Sequence, residues 1–459
     1  MDNLQIIQQT DPGYEAARVD RQFNMRVPDR FPLGVIKITE ENQVVEAVKL
    51  AAEKGCRIAV RSGGHSWASW ALRDNSILLD LGDFHEMEFD EETGIVRVTA
   101  STTGGKLAPY LRSKGRMFCG GHCPDVALGG FLLQGGVGWN ARGWGWACEQ
   151  VVAIDAVTAD GQLVRADENQ NSDLYWAARG SGPGFPGVVT RFHLRTRPLS
   201  EAMRSSTYIY PVQVYREVFE WVLKLVPTFD IDTEIVMVSC YPPGLDQICM
   251  VASFLSLKSS EAEAEEALRS AEASHPENPL VHLFCQETSL EQEYISQRHA
   301  NPAGHRYYCD NAFVNNEEDV LAVLEKALTS LPSKEAYSFY YPMNPWSRKN
   351  LPDMAISLQC DHYIAMYTLW KNKEDDEKCI SWVKDVIKGI KPHSCGSYIG
   401  DLDLQSRTTR FWGEEQGRRL MDIRRQRDPK GVICGYLDAE DKSGPNGLDN
   451  HLDRTWRFI

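Results

Sequence analysis

Three glycine-rich stretches, all within the first 190 residues, constrain this chain more than any other feature. The first is Arg61-Ser62-Gly63-Gly64-His65-Ser66, directly after the apolar run CRIAV. The second starts at Gly120-Gly121, passes Gly129-Gly130 and runs on through GGVGWNARGWG. The third is Ala178-Arg179-Gly180-Ser181-Gly182-Pro183-Gly184, which feeds FPGVVTRFHL. Glycine lets backbone approach a ligand closely, and consecutive amide N–H groups in a turn after a strand can form an anion-binding nest. Each stretch is equally readable as a tight turn that needs positive φ. Three such loops beside strands ask for one extended ligand, with a pyrophosphate and a planar ring. Two other motif readings fail on context. Gly64-x-Ser66-x-Ala68 approaches a nucleophile elbow, but WASWALRDNS breaks instead of continuing as helix, and no Asp-then-His order follows. Gly136-x-Gly138-x-x-Ala141 formally matches a dinucleotide fingerprint, yet it follows no clear strand and lacks an acidic ribose ligand at the usual distance.

Composition narrows the partners. The chain has 459 residues, with 49 Lys plus Arg against 64 Asp plus Glu, a net charge of −15. That balance speaks against a nucleic-acid surface, while leaving room for a local pocket for one phosphorylated cofactor. No apolar run approaches the roughly 18–20 residues of a membrane span, so no membrane partner is expected. The first thirty residues hold no apolar signal region, and no Asn-x-Ser/Thr sequon occurs. With 12 cysteines in a chain too large to need staples, the expectation is a cytoplasmic protein with reduced thiols. Cys119-x-x-His122-Cys123 could offer three zinc ligands, but no second pair follows at finger spacing, so no metal is expected there.

The periodicities give an α+β chain. GVIKITE (34–40) reads as a strand entering the helix EENQVVEAVKLAAEKG, with Val44, Val45, Val48 and Leu50 as its apolar positions and Gly55 as its C-cap. MEFDEETGIVRVTA and VVAIDAVTADGQLVRA read as hairpins turning at Thr93-Gly94 and Asp160-Gly161. From about residue 200 strands alternate with amphipathic helices: STYIYP, the helix 212–226 with Val214, Val218, Trp221, Val222 and Leu225 on one face, EIVMVSCY, QICMVASFL and SSEAEAEEALRSAEA. EEDVLAVLEKALTSL and DEKCISWVKDVIKGI are further helices, and EAYSFYYPM and ISLQCDHYIAMYTLW between them read as strands. Helices covering one face of a sheet fit this order. GEEQGRRLMDIRRQ is a closing helix that stops at Asp428-Pro429, ahead of an acidic tail at 438–453.

At these motifs the sequence resembles the berberine bridge enzyme-like flavoproteins of the vanillyl-alcohol oxidase superfamily. RSGGHS, Cys-Pro six residues ahead of Gly-Gly, GGVGWNARGWG, DLYWAARGSG and GVVT occur in the family's order over residues 30–200, and the match returns near 395–435. The resemblance implies a two-domain fold. An FAD-binding α+β domain is built from residues 1–200 and 396–459, and a substrate domain, 201–395, has a large antiparallel sheet covered by helices. It implies FAD held by Arg61, Ser62, Gly63, Gly64, Ser66, Gly129, Gly130, Gly136, Gly138 and Val188. It further implies two covalent links, from His65 to the flavin 8α-methyl and from Cys123 to flavin C6. GSYIGDLD resembles the family's Asn-aromatic segment, with Ser397 in place of the Asn and Tyr398 at the aromatic. Glu415-Gln416 and Cys434-Gly435-Tyr436 depart from the family pattern.

Oxidation of an alcohol or amine by flavin needs a group to take the X–H proton. The candidates are Tyr398 first, then Asp361 and Tyr363; strand alternation puts Gln359, Asp361 and Tyr363 on one face, with Cys360 and His362 on the other. The expected activity is an FAD-dependent oxidase, or a dehydrogenase, acting on a C–OH or C–N bond of a small molecule in specialised metabolism. O2 or another acceptor would take the electrons. A carbohydrate oxidase, a non-redox flavoprotein cyclase and a flavin-keeping binding protein are the alternatives. The aromatic run Phe339, Tyr340, Tyr341, Trp346, Tyr363, Tyr367 and Trp370 is the expected wall for a planar or glycan-like substrate, and is equally compatible with core packing.

Overall fold

The computed structural model describes residues 4–403, 406–407 and 409–435; the acidic tail lies outside the described residues. Near the N-terminus, β1 (Ile6–Gln8), β2 (Gly34–Lys37), β3 (Arg57–Arg61) and β4 (Ser76–Asp80) form a sheet in the order β1-β2-β4-β3. The last three are parallel, which requires a crossover, and helix α1 (Glu41–Lys54) supplies it. A Glu40/Gln43 capping box starts α1, and Gly55 at φ 64° ends it. Val44, Ala47, Val48 and Ala51 form its buried stripe, so Leu50 sits off the core where Ala47 and Ala51 were needed.

A second sheet takes β5 (Met87–Asp90), β6 (Ile95–Thr99), β7 (Val151–Thr158), β8 (Leu163–Ala166) and β9 (Gly187–Arg195) in the order β5-β6-β9-β7-β8. Both expected hairpins are there, as β5–β6 and β7–β8, and helix α2 (Gly104–Arg112) follows β6. The chain's end returns to the first sheet: Ile58 N–H donates to Val432 O at 2.7 Å, and Cys434 N–H to Ile58 O at 2.8 Å. Residues near 433 are thereby laid beside the strand that leads into RSGGHS.

The third sheet is wholly antiparallel and has eight strands: β10 (Ala202–Pro211), β11 (Thr233–Cys240), β12 (Cys249–Lys258), β13 (Val281–Glu287), β14 (Arg306–Val314), β15 (Tyr337–Pro342), β16 (His362–Trp370) and β17 (Ser394–Gly396). Their order is β13-β10-β12-β11-β15-β16-β14-β17. The two-residue period divides its side chains cleanly. Tyr208, Ile235, Met237, Met250, Ala252, Tyr340, Ile364 and Met366 pack under helices α3 (Tyr215–Leu225), α4 (Glu261–Ser274), α6 (Val320–Thr329) and α7 (Asp376–Ile390), with α5 (Leu290–Ala300) intervening in the chain. Thr207, Ile209, Val236, Val238, Val251, Phe339, Tyr363 and Tyr367 face the other way, into a cavity. Val218, Trp221, Val222 and Leu225 of α3 are buried as the periodicity predicts, each worth about 1.5–3 kcal/mol; Val214 precedes the helix.

Sequence periodicity missed α5, β13 and β14. Only Tyr294 of α5 is buried, so it shows no apolar stripe. β14 carries the buried polar pair Asp310-Asn311 in mid-strand, which breaks its apolar run. No disulfide forms among the described residues.

Candidate active site

The site is one cavity of about 1070 Å³ between the two N-terminal sheets and the open face of the eight-stranded sheet. β3 delivers the loop 62–66 to it. Among the described residues, none accepts a hydrogen bond from the amide N–H groups of Ser62, Gly63, Gly64, His65 or Ser66. Backbone amides normally find acceptors, so five consecutive N–H groups left unpaired on a half-buried loop beside a cavity can serve as an anion nest. Gly64, at φ +85°, is obligatory: a Cβ there would lie 1.7 Å from Arg21 O. Gly129 is equally confined, because its Cβ would meet Ser62 Oγ at 2.2 Å. Arg61 reaches the cavity wall, but its buried guanidinium is spent on Arg18 O, Ala17 O and Asp80 Oδ2, at 2.6, 2.7 and 2.9 Å. It braces the loop; backbone, not side chain, is what faces an anion.

His65, Ser66, Cys123, Gly129 and Gly130 all line the same cavity. The His65 ring stacks on Phe23 with centroids 3.8 Å apart and planes at 17°. Desolvation lowers its pKa to about 4, so the imidazole is neutral at physiological pH and keeps a nitrogen lone pair. Burial, with Asp401 and Asp125 nearby, pushes the Cys123 thiol up to about 12. Gln22, Trp70 and Trp139 also line the cavity, and the Gln22 amide and both indole N–H groups are buried without a partner among the described residues. Those unmet polar atoms, the nest and the glycines that clear its walls fit a long, flat, anionic cofactor such as FAD.

Residues 398–402 form another part of the cavity wall. Asn311, fully buried on β14, ties them down: its Nδ2 donates to Tyr398 O and Asp401 O at 2.8 and 3.0 Å, and its Oδ1 accepts from Tyr398 N at 2.8 Å. Tyr398 lines the cavity, and its Oη accepts from Gly136 N–H at 3.1 Å. Burial raises its phenol pKa further. Tyr363 Oη donates to Asp401 Oδ2 at 2.7 Å, and Tyr367 and Trp67 line the same wall of the cavity. Desolvation nevertheless raises the Asp401 pKa above the ordinary carboxylate range. A second pair, His122 Nε2 and Glu234 Oε1 at 3.0 Å, faces the cavity from another wall.

Several expected residues stand elsewhere. Asp361 precedes β16 and is turned out of the cavity, held by Ser347 Oγ at 2.5 Å and a two-pronged Arg348. Val188 is packed in the core, because β9 alternates and presents Gly187 and Val189 to the cavity instead. Gly136 and Gly138 also lie behind the wall. Gly136, at φ +80°, supports Tyr398, and a Cβ on Gly138 would strike Cys119 O at 2.3 Å, so both glycines serve close packing. Of the aromatic run, Phe339, Tyr363 and Tyr367 line the cavity. Tyr340 and Trp370 face the helices, and Trp346 packs edge-on against Trp146. Ser397 is buried and donates to Asn311 O at 3.0 Å. Sequence does not single out Asp401, although GSYIGDLD places it three residues after Tyr398, because a loop aspartate gives no sequence sign of being buried.

Comparison with known proteins agrees with this geometry. Residues 32–167 match the model of an FAD binding domain. The chain is 38% identical over 441 residues to the FAD-linked oxidoreductase ptmO of Penicillium ochrochloron, covering 96% of this chain and 98% of that one. It is 37% identical to the FAD-linked oxidoreductase nodO of Hypoxylon pulicicidum, covering 95% and 98%. The solved structure of Physcomitrella patens BBE-like 1 superposes with a TM-score of 0.81 at 20% identity, covering 94% of this chain and 96% of that one.

Proposed function

The chain belongs to the FAD-linked oxidoreductases, with the berberine bridge enzyme-like fold, and from that premise we propose an oxidase or dehydrogenase that takes a hydride from a C–OH or C–N bond of a small organic substrate. The observation that carries this reading is the pairing, across one cavity, of an unpaired amide nest with the buried Tyr363–Asp401 unit. When bound, FAD supplies the hydride acceptor. The amides of Ser62 to Ser66 hold its pyrophosphate, and Gly129 and Gly130 let the backbone lie close. His65, neutral, and Cys123 would tether its ring. On the same reading, residues 1–200 and 396–459 are the cofactor domain and 201–395 the substrate domain.

Asp401 is the proton acceptor. Both Asp401 and its hydrogen-bond partner Tyr363 line the cavity, so the substrate's proton can reach the carboxylate directly or through the Tyr363 hydroxyl, with Tyr367 and Trp67 beside them. Tyr398 closes the ring of hydroxyls and orients the substrate. The cavity floor of Ile209, Val236, Val238, Val251, Leu255 and Phe339 supports a substrate with an apolar body over a glycan, in keeping with specialised metabolism. The experiment is a panel of apolar alcohols, apolar amines and sugars scored by anaerobic bleaching of bound flavin, followed by air. Bleaching by an apolar alcohol or amine is expected, and rapid recovery in air would make the enzyme an oxidase. Bleaching by sugars alone overturns the substrate reading, and no bleaching by any donor overturns the redox one.

A further inference from the structure

A second cluster of reactive side chains lies outside the cavity, where α4 meets the edge of the eight-stranded sheet. Glu272 is in the last turn of α4, His275 is its C-cap and His282 is on the edge strand β13. One ligand atom from each lies within 4.8 Å of the other two, and no other such trio exists among the described residues. Glu272 Oε2 is 2.8 Å from His282 Nε2 and accepts from Tyr208 Oη at 2.9 Å. The two imidazole centroids are 4.7 Å apart, and the Tyr208 ring lies against both, at 5.2 Å from His282 and 5.1 Å from His275.

His275 Nδ1 is 2.8 Å from Pro276 O. A carbonyl can only accept, so Nδ1 carries the proton and Nε2 keeps its lone pair. Metal-binding histidines usually show this arrangement, with the far N–H fixed by a backbone carbonyl. Tyr208, donating to Glu272, gives the carboxylate the same outer support. Two imidazoles and one carboxylate are a common ligand set for Zn²⁺, which takes such donors at about 2.0–2.2 Å in a tetrahedron. Three donors already within 4.8 Å need only a small contraction.

We propose that Glu272, His275 and His282 form a divalent-metal site of the zinc class, with water in the fourth position. On binding, the metal replaces the hydrogen between His282 Nε2 and Glu272 Oε2: a neutral His282 carries its proton on Nδ1 instead, and an imidazolium releases one proton to solvent. The ion would staple the end of α4 to the edge strand β13. That strand leads into α5, whose Ser296, Gln297, His299 and Ala300 line the cavity. The site is a structural clamp and takes no part in the redox step.

The test uses the flavin-loaded protein, stripped with chelator and then dialysed against Zn²⁺. Wild type should retain one equivalent of Zn²⁺ and melt at a higher temperature with it. His275→Ala and His282→Gln should lose that equivalent and the melting shift while keeping their flavin. Co²⁺ should give a tetrahedral visible spectrum in wild type only. Should His275→Ala fail to fold, the exposed His282→Gln decides. A wild type that retains no Zn²⁺, or a His282→Gln variant that binds it as tightly as wild type, overturns the proposal.

Discussion

Replacing Gly64 by alanine tests whether the 62–66 loop is a cradle shaped for a ligand. Two costs arise. The backbone at φ +85° is left-handed, which costs an L-residue about 1–2 kcal/mol. The new Cβ would also lie 1.7 Å from Arg21 O and 2.6 Å from Arg21 C, both backbone atoms that cannot rotate aside. Restoring contact moves Arg21 well over an ångström, an overpacking cost of about 1–3 kcal/mol. Phe23 N–H donates to Gly64 O at 3.0 Å and Phe23 stacks on His65, so this shift unseats both the nest and the imidazole. The sum, about 2–5 kcal/mol, corresponds to a loss of flavin affinity of roughly 30- to 4000-fold at 1.4 kcal/mol per decade. Gly55→Ala is the control: Gly55 also has positive φ, but a Cβ there meets nothing within 4 Å. The assay is the flavin-to-protein absorbance ratio and the melting temperature of all three proteins. Gly55→Ala should keep full flavin with a modest loss of stability, and Gly64→Ala should purify largely without flavin. A Gly64→Ala protein with full flavin and the stability of Gly55→Ala would refute the reasoning.

Asp401→Asn should slow anaerobic flavin reduction by about 10²–10⁴-fold, the usual loss when a general base is removed. A base must be ionised to act, so the wild-type rate should rise with pH through a limb displaced upward from the ordinary carboxylate range, and Asp401→Asn should abolish that limb; a retained limb points to another base. Asn311→Ala removes three hydrogen bonds from the 398–401 segment and should lower both stability, by a few kcal/mol, and the reduction rate, as measured by thermal melting and stopped flow. Asp361→Asn, in contrast, should leave the reduction rate unchanged, since that carboxylate faces Arg348 outside the cavity; a large drop would return it to the site.

Much of this was readable before any coordinates. The RSGGHS turn follows a strand, and the positive φ at Gly64 is a local demand that sequence can encode, whereas its close approach to Arg21 O is not. The alternation on β10, β11 and β12 foretells a two-faced sheet, although not which face meets a ligand. Phase was the weak point: a one-residue difference sends Val188 to the core and Val189 to the cavity, and it separates Tyr340 from Phe339. Asp361 and Asp401 look alike as letters. One is met by an exposed arginine and the other is enclosed by Tyr363, Tyr367 and Trp67, which come from segments hundreds of residues away or close by only through the sheet. Asn311, too, declares its role only once β14 lies beside the returning 398–401 segment.

The account rests on a flavin held in this cavity with His65 and Cys123 against it. Proteolytic digestion of the purified, denatured protein, followed by mass mapping of every flavin-bearing peptide, tests that directly. The account predicts one flavin joining the peptide containing His65 to the peptide containing Cys123. Unmodified His65 and Cys123 peptides, with all flavin released into solution on denaturation, would contradict it.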